Sequence, residues 1–374
     1  MNTNNHIHVY NATFYAANYG SALQAYSLSQ SIQECGGIPI LIKASTWGTE
    51  EKKNKIQVLL HGIKVYFFPE KHYGVLRKIR QFQERKLFAS KREKIEAFCR
   101  QNIDMMDIST SDYTPDRNGV YLVGSDQVWN IIDRDINSFY LLDFLNNTGI
   151  KKYSYAASIG IGELDHTQLE YYERELSSFS TISVRENEAY ELLSKTKLRT
   201  KLRVDIDPTL LHDMTFWHKH SAKPMVNKPY VFIYMLRPDK RLFSLAKKVA
   251  NDHDLEIVYT GNYAFHSKGV NTITDAGIEE FLSLIEHAEY VITNSFHGTC
   301  FSLLFHKKFV SVKVQSTGGR AAGLLENVNL ITHLISDSSN IDMIYDEIDY
   351  GEIDKRLMIL REKSLEYLKS LITE

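Results

Sequence analysis

The chain has 374 residues, of which 43% are hydrophobic and 24% are charged, and its formal net charge is −2. The length predicts two domains, the composition is typical of a globular protein, and the near-neutral charge excludes a general attraction to nucleic acid. Three scattered cysteines argue against a disulfide framework. No signal peptide is visible, and no apolar run approaches the roughly 20 residues of a membrane span, so we expect a cytoplasmic protein.

The N-terminal stretch alternates strand, helix and strand. Residues 6–10 and 38–42 have the apolar character of strands, and the residues between them follow a helical spacing. The helix is predicted to begin at Ser21, which can form a capping box with Gln24. The turn before it could hold a phosphate or carboxylate against the helix amides, or it could belong to a structural helix that binds nothing. That turn consists of Asn18, Tyr19 and Gly20.

Residues 51–100 differ from the rest of the chain in charge. They contain 14 lysine and arginine residues against 5 glutamates, a balance of +9. Their apolar residues recur at helical intervals, which predicts about two amphipathic helices inserted into the first domain. Such a basic surface could dock on anionic lipid at the inner face of the membrane or hold a lipid-linked acceptor. A solvated basic surface without a partner is the simpler alternative.

Polar and aromatic residues follow the predicted strand Gly119–Val123. Asp126 and Asn130 could hydrogen-bond sugar hydroxyls, and Trp129 offers a face on which a pyranose ring could stack. An aspartate that is buried and satisfied by loop amides is the alternative. The residues that we assign to this candidate binding site are Ser125, Asp126, Trp129 and Asn130.

Strands and helices continue to alternate up to about residue 214, the predicted end of the first domain. Arg185 directly follows the predicted strand Thr181–Val184. A guanidinium at such a junction can bind a carboxylate or phosphate through two parallel hydrogen bonds. Pairing of Arg185 with Glu186 or another acid is the alternative. We interpret Asp207 as a structural turn residue.

Residues 215–374 are predicted to form a second domain of the same kind. An irregular polar linker, 213–228, precedes the continuous apolar run Tyr230–Leu236, which is typical of a parallel strand buried on both faces. Arg237 follows that strand, and an amphipathic helix at 352–373 ends the chain. The pattern predicts an α/β protein in which two Rossmann-like domains, 1–214 and 215–374, face each other across a cleft in a GT-B-like arrangement.

A histidine lies at the most informative junction of this second half. Tyr290–Thr293 is a predicted strand, and Asn294 with Ser295 is predicted to cap the helix that follows. His297 therefore lies at the sheet edge where open α/β sheets bind ligands. Imidazole changes charge near neutral pH, which suits a general acid or base, although an isolated histidine after a strand can also be structural. Arg320 belongs to a predicted flexible loop, 315–320.

Other histidines do not predict a metal site. His6 with His8 and His218 with His220 are spaced to share a strand face, but no nearby carboxylate or cysteine completes a ligand set. We interpret them as surface residues and expect neither a metal nor another cofactor.

Seven short motifs occur in a distinctive order: NYGSALQAY, VGSDQVWN, YAASIG, SVREN, DPTLL, VITNSFHGTCFSLLF and GGRAAGLL. In this the chain resembles the polysaccharide pyruvyl transferase family, from about Asn18 to the terminal helix and less so over 51–100. The resemblance implies a GT-B-like fold. It also implies transfer of the enolpyruvyl group of phosphoenolpyruvate to two hydroxyls of one sugar in a cell-surface glycan precursor, which leaves a cyclic pyruvate ketal and phosphate.

The resemblance also implies roles for particular residues. His297 would act as general acid or base, and Arg185 with Arg320 would grip the anionic donor. Asp126, which we class with His297 as catalytic, would line the acceptor side with Trp129 and Asn130 or orient the donor. The acceptor would be a sugar or a lipid-linked oligosaccharide.

One departure from the family pattern concerns the donor. Many members carry Arg-x-His-Gly where this chain has Ser295-Phe296-His297-Gly298. The grip on the donor would then come from Arg320 or Arg237.

Two other functions stay open at this point. A nucleotide-sugar glycosyltransferase of the same architecture would need an acidic residue that binds ribose, for which Glu326 is the candidate. A sugar- or anion-binding module that kept the fold without catalysis is the second.

Overall fold

A computed structural model describes residues 7–13, 18–44, 86–109, 113–131, 135–263, 265, 267–314, 319–336 and 338–373. Within these ranges every strand pairing is parallel, and the strands form two sheets. Helices connect the strands of each sheet. The predicted α/β architecture with two Rossmann-like units is therefore confirmed.

The first sheet has seven strands in the part of the chain that is described. They are β1 (His8–Ala12), β2 (Ile38–Lys43), β3 (Met105–Asp107), β4 (Val120–Val123), β5 (Lys152–Ser154), β6 (Phe179–Val184) and β7 (Leu202–Val204). The associated helices are α1 (Tyr19–Glu34), α2 (Ala89–Asn102), α3 (His166–Leu176) and α4 (Asn187–Leu193). The order β3-β2-β1-β4-β5-β6-β7 reverses direction between β1 and β4, where ligands bind in sheets of this kind.

The second sheet repeats this plan with six strands over the described ranges. They are β8 (Tyr230–Met235), β9 (Glu256–Gly261), β10 (Val270–Thr272), β11 (Tyr290–Thr293), β12 (Lys308–Val312) and β13 (Leu334–Ile335). Its helices are α5 (Met214–His218), α6 (Lys240–His253), α7 (Ile278–Glu286), α8 (Phe296–Leu304), α9 (Gly319–Asn327) and α10 (Tyr350–Thr373). The order β10-β9-β8-β11-β12-β13 reverses between β8 and β11.

Two local predictions about helices are wrong. Helix α1 begins at Tyr19, because the Asn18 side chain accepts a hydrogen bond from the backbone N–H of Ser21 and so caps the helix. The predicted capping box at Ser21 is absent, and the Ser21 hydroxyl instead points to Asp126. The predicted irregular linker 213–228 contains α5 at its start.

Helix α1 packs between the two sheets. Most of its side chains are buried, polar Gln24 among them, and Ala22 and Leu23 are fully buried. The Tyr19 ring stacks on Phe281 of α7 with 4.1 Å between ring centroids, and its hydroxyl donates to the Ala276 carbonyl at 2.8 Å. A single apolar core therefore continues from the first half of the chain into the second.

The terminal helix α10 contacts both halves. Near its start, the Tyr350 hydroxyl donates to the carbonyl of Lys307. Towards its end, the Tyr367 hydroxyl donates to the Ser154 carbonyl of β5 at 3.0 Å, and the Ser364 hydroxyl accepts from the backbone N–H of Ile206. The helix thus joins the second sheet to the first.

The basic segment is described only at its C-terminal end, and the helical and membrane-docking predictions for 51–85 lie outside the described residues. At this C-terminal end, Ile95 of α2 is buried, and Lys94 of the same helix forms an ion pair with Glu280 of α7 at 2.7 Å. Lys91 is buried, donates to the Gly261 carbonyl at 3.0 Å, and lies 4.2 Å from the Tyr19 ring centroid. Among the described helices, none is long and apolar enough to cross a bilayer.

Lys91 should make stability depend on pH. Burial lowers the pKa of its amine to about 7 from 10.5, so between these values the unfolded chain binds more protons than the folded one. The contribution of Lys91 to the free energy of unfolding therefore rises with pH across this window. Lys91→Met should flatten the rise and stabilise the protein most at pH 7 and below.

Denaturant unfolding of wild type and variant between pH 7 and 10 measures this slope. The exposed Lys247 supplies a matched control, because Lys247→Met removes a solvated amine from α6. A slope that Lys91→Met leaves as steep as in the wild type would contradict the argument.

Candidate active site

Residues from both sheets converge on one buried polar cluster. Strands β4, β6 and β7 of the first half end next to Ser125, Arg185 and Asp207, and β11 of the second ends next to Ser295 and His297. These are carboxyl ends of parallel strands, and β4 and β11 border the points where the strand orders reverse. The two predicted ligand-binding edges therefore form a common site.

Asp207 lies at the centre of this cluster. One carboxylate oxygen, Oδ2, is 2.7 Å from Arg185 Nη1, 3.1 Å from the Ser125 hydroxyl and 3.7 Å from His297 Nε2. The other, Oδ1, accepts from the backbone N–H and hydroxyl of Thr209. The interpretation of Asp207 as a turn residue alone is therefore incomplete, since it connects the site residues of both halves.

The charges around Asp207 determine its ionisation. Burial by itself would raise the pKa of the Asp207 carboxyl. The charges of a protonated His297 and of Arg185, together with the hydrogen bonds from Thr209, outweigh burial and hold that pKa well below its usual range. Asp207 is therefore a carboxylate at every physiological pH.

His297 lies in the first turn of α8, as predicted. Ser295 caps this helix by accepting from the Gly298 N–H at 3.3 Å, as predicted, whereas the Asn294 side chain accepts from the Leu236 N–H and does not cap it. His297 is 5% exposed, and its Nε2 has no hydrogen-bond partner in the described part of the chain, because 3.7 Å to Asp207 is too long. His297 thus faces charged groups of the first half with one nitrogen available.

Gly20 explains how the imidazole fits. A Cβ atom added at Gly20 would lie 2.1 Å from His297 Nδ1, far inside van der Waals contact. Gly20 therefore contacts the predicted catalytic side chain and lets the first turn of α1 reach it. The other two residues of the predicted ligand-binding turn have structural roles. The Asn18 side chain caps α1, and the Tyr19 ring is 0% exposed.

Arg185 is held by two carboxylates, as the alternative for this residue anticipated. Its Nε is 3.2 Å from Glu186 and its Nη1 is 2.7 Å from Asp207, while the guanidinium lies 4.3 Å from the Phe296 ring centroid. Burial would lower the pKa of Arg185, but Glu186 and Asp207 outweigh it and raise the pKa. Nη2 is buried and has no partner among the described residues, so one side of the guanidinium stays available.

Arg320 adds a second cation. It lies in the first turn of α9, so the prediction that Arg320 belongs to a flexible loop is wrong. Residues 315–318 of that predicted loop lie outside the described residues. Burial, and then the charge of Arg185, lowers the pKa of Arg320, and the charge of Arg237 acts in the same direction. Its Nε is buried without a partner among the described residues. Arg237 is exposed at the end of β8, and its carbonyl accepts from the Asn294 side chain.

The structure contradicts the stacking role predicted for Trp129. The indole is 0% exposed, its N–H donates to the Tyr140 carbonyl at 3.0 Å, and its ring packs edge-on against Phe179. An aromatic ring after a strand can face the core as well as a cleft, and here the core covers it. Ser125 is also 0% exposed and contacts Asp207 instead of open space.

Asp126 and Asn130 stay near the surface of the cluster. Asp126 is half-buried, accepts from the Gln127 N–H and the Ser21 hydroxyl, and has φ of +78°. Residues other than glycine seldom adopt this conformation, and such residues cluster at functional sites. Asn130 is half-buried, and its Nδ2 lies 2.8 Å from where a Cβ at Gly160 would be.

Among the described residues, which include His8, His218 and His220 but not His6, no group of three histidine, cysteine or acidic side chains is placed to hold a metal ion. His218 is exposed beside Glu286. His220 is half-buried, and its Nε2 is 3.0 Å from the Tyr26 hydroxyl, so its interpretation as a surface residue is wrong. Neither belongs to a strand.

Comparison with known proteins identifies a family. The model of the family described as polysaccharide pyruvyl transferase matches residues 18–316, which is well over half of the chain. A search of curated proteins finds no match.

Solved structures share the fold. The S. aureus MnaA–UDP co-structure has a TM-score of 0.52 at 12% identity, covering 98% of each chain. UDP-GlcNAc 2-epimerase from Neisseria meningitidis bound to UDP-GlcNAc has a TM-score of 0.50 at 11% identity, covering 96% of this chain and 100% of that one. At such identities the likeness shows the fold alone, and it confirms the predicted GT-B-like arrangement.

Gly20→Ala should displace the imidazole of His297, because the added methyl group would occupy its place. We expect a large loss of activity and a lower melting temperature. Gly323→Ala is the matched control, since a Cβ at this position in α9 meets no atom within 4 Å. Thermal unfolding and activity measured together test this, and a fully active Gly20→Ala protein would contradict the observed contact.

Proposed function

Because this chain belongs to the polysaccharide pyruvyl transferase family, we propose that it transfers the enolpyruvyl group of phosphoenolpyruvate to two hydroxyls of one sugar residue. The acceptor would be a precursor of a cell-surface polysaccharide, free or lipid-linked, and the products a cyclic pyruvate ketal and phosphate. The observation that carries this proposal is the convergence of His297 with Arg185 and Arg320, two arginines that each keep a buried N–H group without a partner among the described residues.

The two arginines suit an anionic donor. A buried N–H of a charged group that lacks an acceptor is unfavourable, and a carboxylate or phosphate oxygen would satisfy it. Arg185 Nη2 and Arg320 Nε are such groups. Phosphoenolpyruvate carries a carboxylate and a phosphate, so it can engage both.

A small pocket beside Arg320 suits the phosphate. Hydroxyl, cationic and apolar residues line it at the carboxyl ends of β11 and β12, and its polar residues can contact an anion. They include Ser295, Thr299, Ser311, Lys313 and Arg320. Ser295 stands where many family members have arginine, and in our proposal Arg320 and Lys313 supply the missing charge.

His297 would supply the proton that activates the donor. Protonation of the methylene carbon by His297 develops positive charge at C2, where the first sugar hydroxyl attacks and returns its proton to the imidazole. The second hydroxyl then displaces phosphate at the same carbon, and its proton leaves with the phosphate. Asp207, whose Oδ2 is 3.7 Å from His297 Nε2, would orient the imidazole and stabilise its protonated form. Asp126 and Asn130 would lie on the acceptor side.

A nucleotide-sugar glycosyltransferase is the competing function, since the similar folds were solved with UDP or UDP-GlcNAc. Glu326, its candidate ribose ligand, is exposed on α9. Thermal stabilisation by phosphoenolpyruvate, compared with UDP-, GDP- and CMP-sugars, separates the two functions. Stabilisation by a nucleotide-sugar alone would refute our proposal.

His297→Ala should reduce kcat much more than donor affinity. Loss of a positioned acid or base typically costs about 10²–10⁴-fold in rate. Phosphate release gives kcat, and the thermal shift with phosphoenolpyruvate gives donor affinity. His166→Ala, on the exposed start of α3, is the control. Lost donor binding with normal turnover of the bound complex would contradict the proton-transfer role, and unchanged glycan modification in cells would favour a non-catalytic module.

Arg320→Ala should weaken the binding of the donor, phosphoenolpyruvate. Removing a charge-assisted hydrogen bond costs about 1.5–3 kcal/mol, or roughly a 10- to 150-fold rise in the KM for phosphoenolpyruvate. Arg185→Ala should do the same but also destabilise the fold, because it leaves Asp207 and Glu186 without their partner. Arg356→Ala is the control, at a half-buried arginine that pairs with Glu352 on α10. An unchanged KM in Arg320→Ala would remove this residue from the donor site.

A further inference from the structure

Glu186 is a buried carboxylate to which the proposed reaction gives no role. It is 5% exposed and directly follows Arg185, just after the end of β6. Its Oε1 accepts from the Ser158 hydroxyl at 2.5 Å and from Arg185 Nε at 3.2 Å. A negative charge beside a site for an anion repels that anion, so the charge of Glu186 by itself would weaken donor binding.

The contacts of Arg185 indicate what Glu186 contributes. Arg185 Nε donates to Glu186, its Nη1 donates to Asp207 at 2.7 Å, and its guanidinium lies 4.3 Å from the Phe296 ring centroid. Because a guanidinium is planar and rigid, contacts at two of its nitrogens determine where the third one points. The third nitrogen, Nη2, is the buried one without a partner among the described residues. Glu186 therefore helps to set the direction of the nitrogen that is available to an anion.

Glu186 is itself held in place by Ser158. This serine is 0% exposed, and its main chain is tied to the loop that follows β4. Its N–H donates to the Asp126 carbonyl at 3.0 Å, and its carbonyl accepts from the Trp129 N–H at 3.2 Å. The Ser158 hydroxyl cannot move far without breaking these bonds, so a fixed row of contacts leads from Ser158 through Glu186 to Arg185.

Glu186 also lies where it can counter the repulsion between two arginines. Glu186 and Arg320 border the same small pocket. Burial, and then the charge of Arg185, lowers the pKa of Arg320, whereas the charges of Asp126 and Glu186 raise it. A carboxylate close to two buried cations favours the charged form of both.

We propose that Glu186 is a positioning residue of the donor site, which directs Arg185 Nη2 towards the anionic donor without contacting either substrate. The identity of the donor rests on the proposed function, but the positioning of Nη2 for an anion does not. The hydrogen bond of Glu186 to Nε strengthens anion binding, and its charge weakens it. Because these two effects have opposite signs, substitutions can separate them.

Glu186→Gln removes the charge and keeps an oxygen that can accept from Arg185 Nε. The KM for phosphoenolpyruvate should therefore stay within about threefold of the wild type or fall. Glu186→Ala removes the charge and the acceptor together. Its KM should rise by about 10- to 50-fold, although a repulsive charge has gone, while kcat changes by less than about threefold. Glu163→Ala, at an exposed glutamate in the loop after β5, is the control and should change neither quantity.

Two results of these kinetics would overturn the proposal. A KM that falls in Glu186→Ala as it does in Glu186→Gln would mean that the carboxylate only repels the donor. A lower kcat with an unchanged KM in Glu186→Ala would mean that the residue supports the fold and does not position Arg185.

Inorganic phosphate as a probe distinguishes this proposal from the proposed function. Thermal unfolding of the full chain during a phosphate titration gives an affinity that requires no turnover. Weaker phosphate binding by Glu186→Ala than by Glu186→Gln supports the positioning role even if phosphoenolpyruvate is not the donor. Equal phosphate affinities of the two variants refute the role whatever the reaction. A wild type that neither phosphate nor phosphoenolpyruvate stabilises contradicts both proposals.

Ser158→Ala decides if Glu186→Ala does not fold. It removes only the hydroxyl that holds Glu186 Oε1 and leaves the ion pairs of Arg185 in place. We expect the KM for phosphoenolpyruvate and the dissociation constant of phosphate to rise by about two- to fivefold, with kcat unchanged. Unchanged values of both constants would refute the positioning role.

Discussion

The buried carboxylate of Asp207 is the interaction on which the candidate active site depends. A buried charge without compensation would destabilise the fold by several kcal/mol, and Arg185 at 2.7 Å supplies that compensation. Both residues belong to the first half, whereas His297, 3.7 Å from the same oxygen, belongs to the second. The two halves must therefore approach closely, and the absence of a side chain at Gly20 is what allows the imidazole to do so.

Opposite charges occupy different sides of this cluster. Arg320 and Lys313 border a pocket at the edge of the second sheet, and Glu186 with Glu188 borders one near the first.

The fold was predictable wherever the local pattern was strong. The continuous apolar run of β8 reflects a strand covered on both faces, and the structure buries all six of its residues. The bounds predicted for β11 agree with the structure. The strands β3, β10 and β13 escaped prediction, because two or three residues are too few to show a period. Helix α5 also escaped prediction, because its five residues are too few to show a helical period within a polar stretch.

The sequence by itself determined that His297 lies at the start of a helix that follows a strand. It also determined that Arg185 directly follows another strand. Both positions follow from the spacing of neighbouring residues. Only the tertiary structure decided what each side chain meets. It buried Trp129 and Tyr19, and it made Asp207 the partner of both His297 and Arg185. Burial and ion pairing depend on which segments, distant in sequence, pack together, and local patterns carry no information about that.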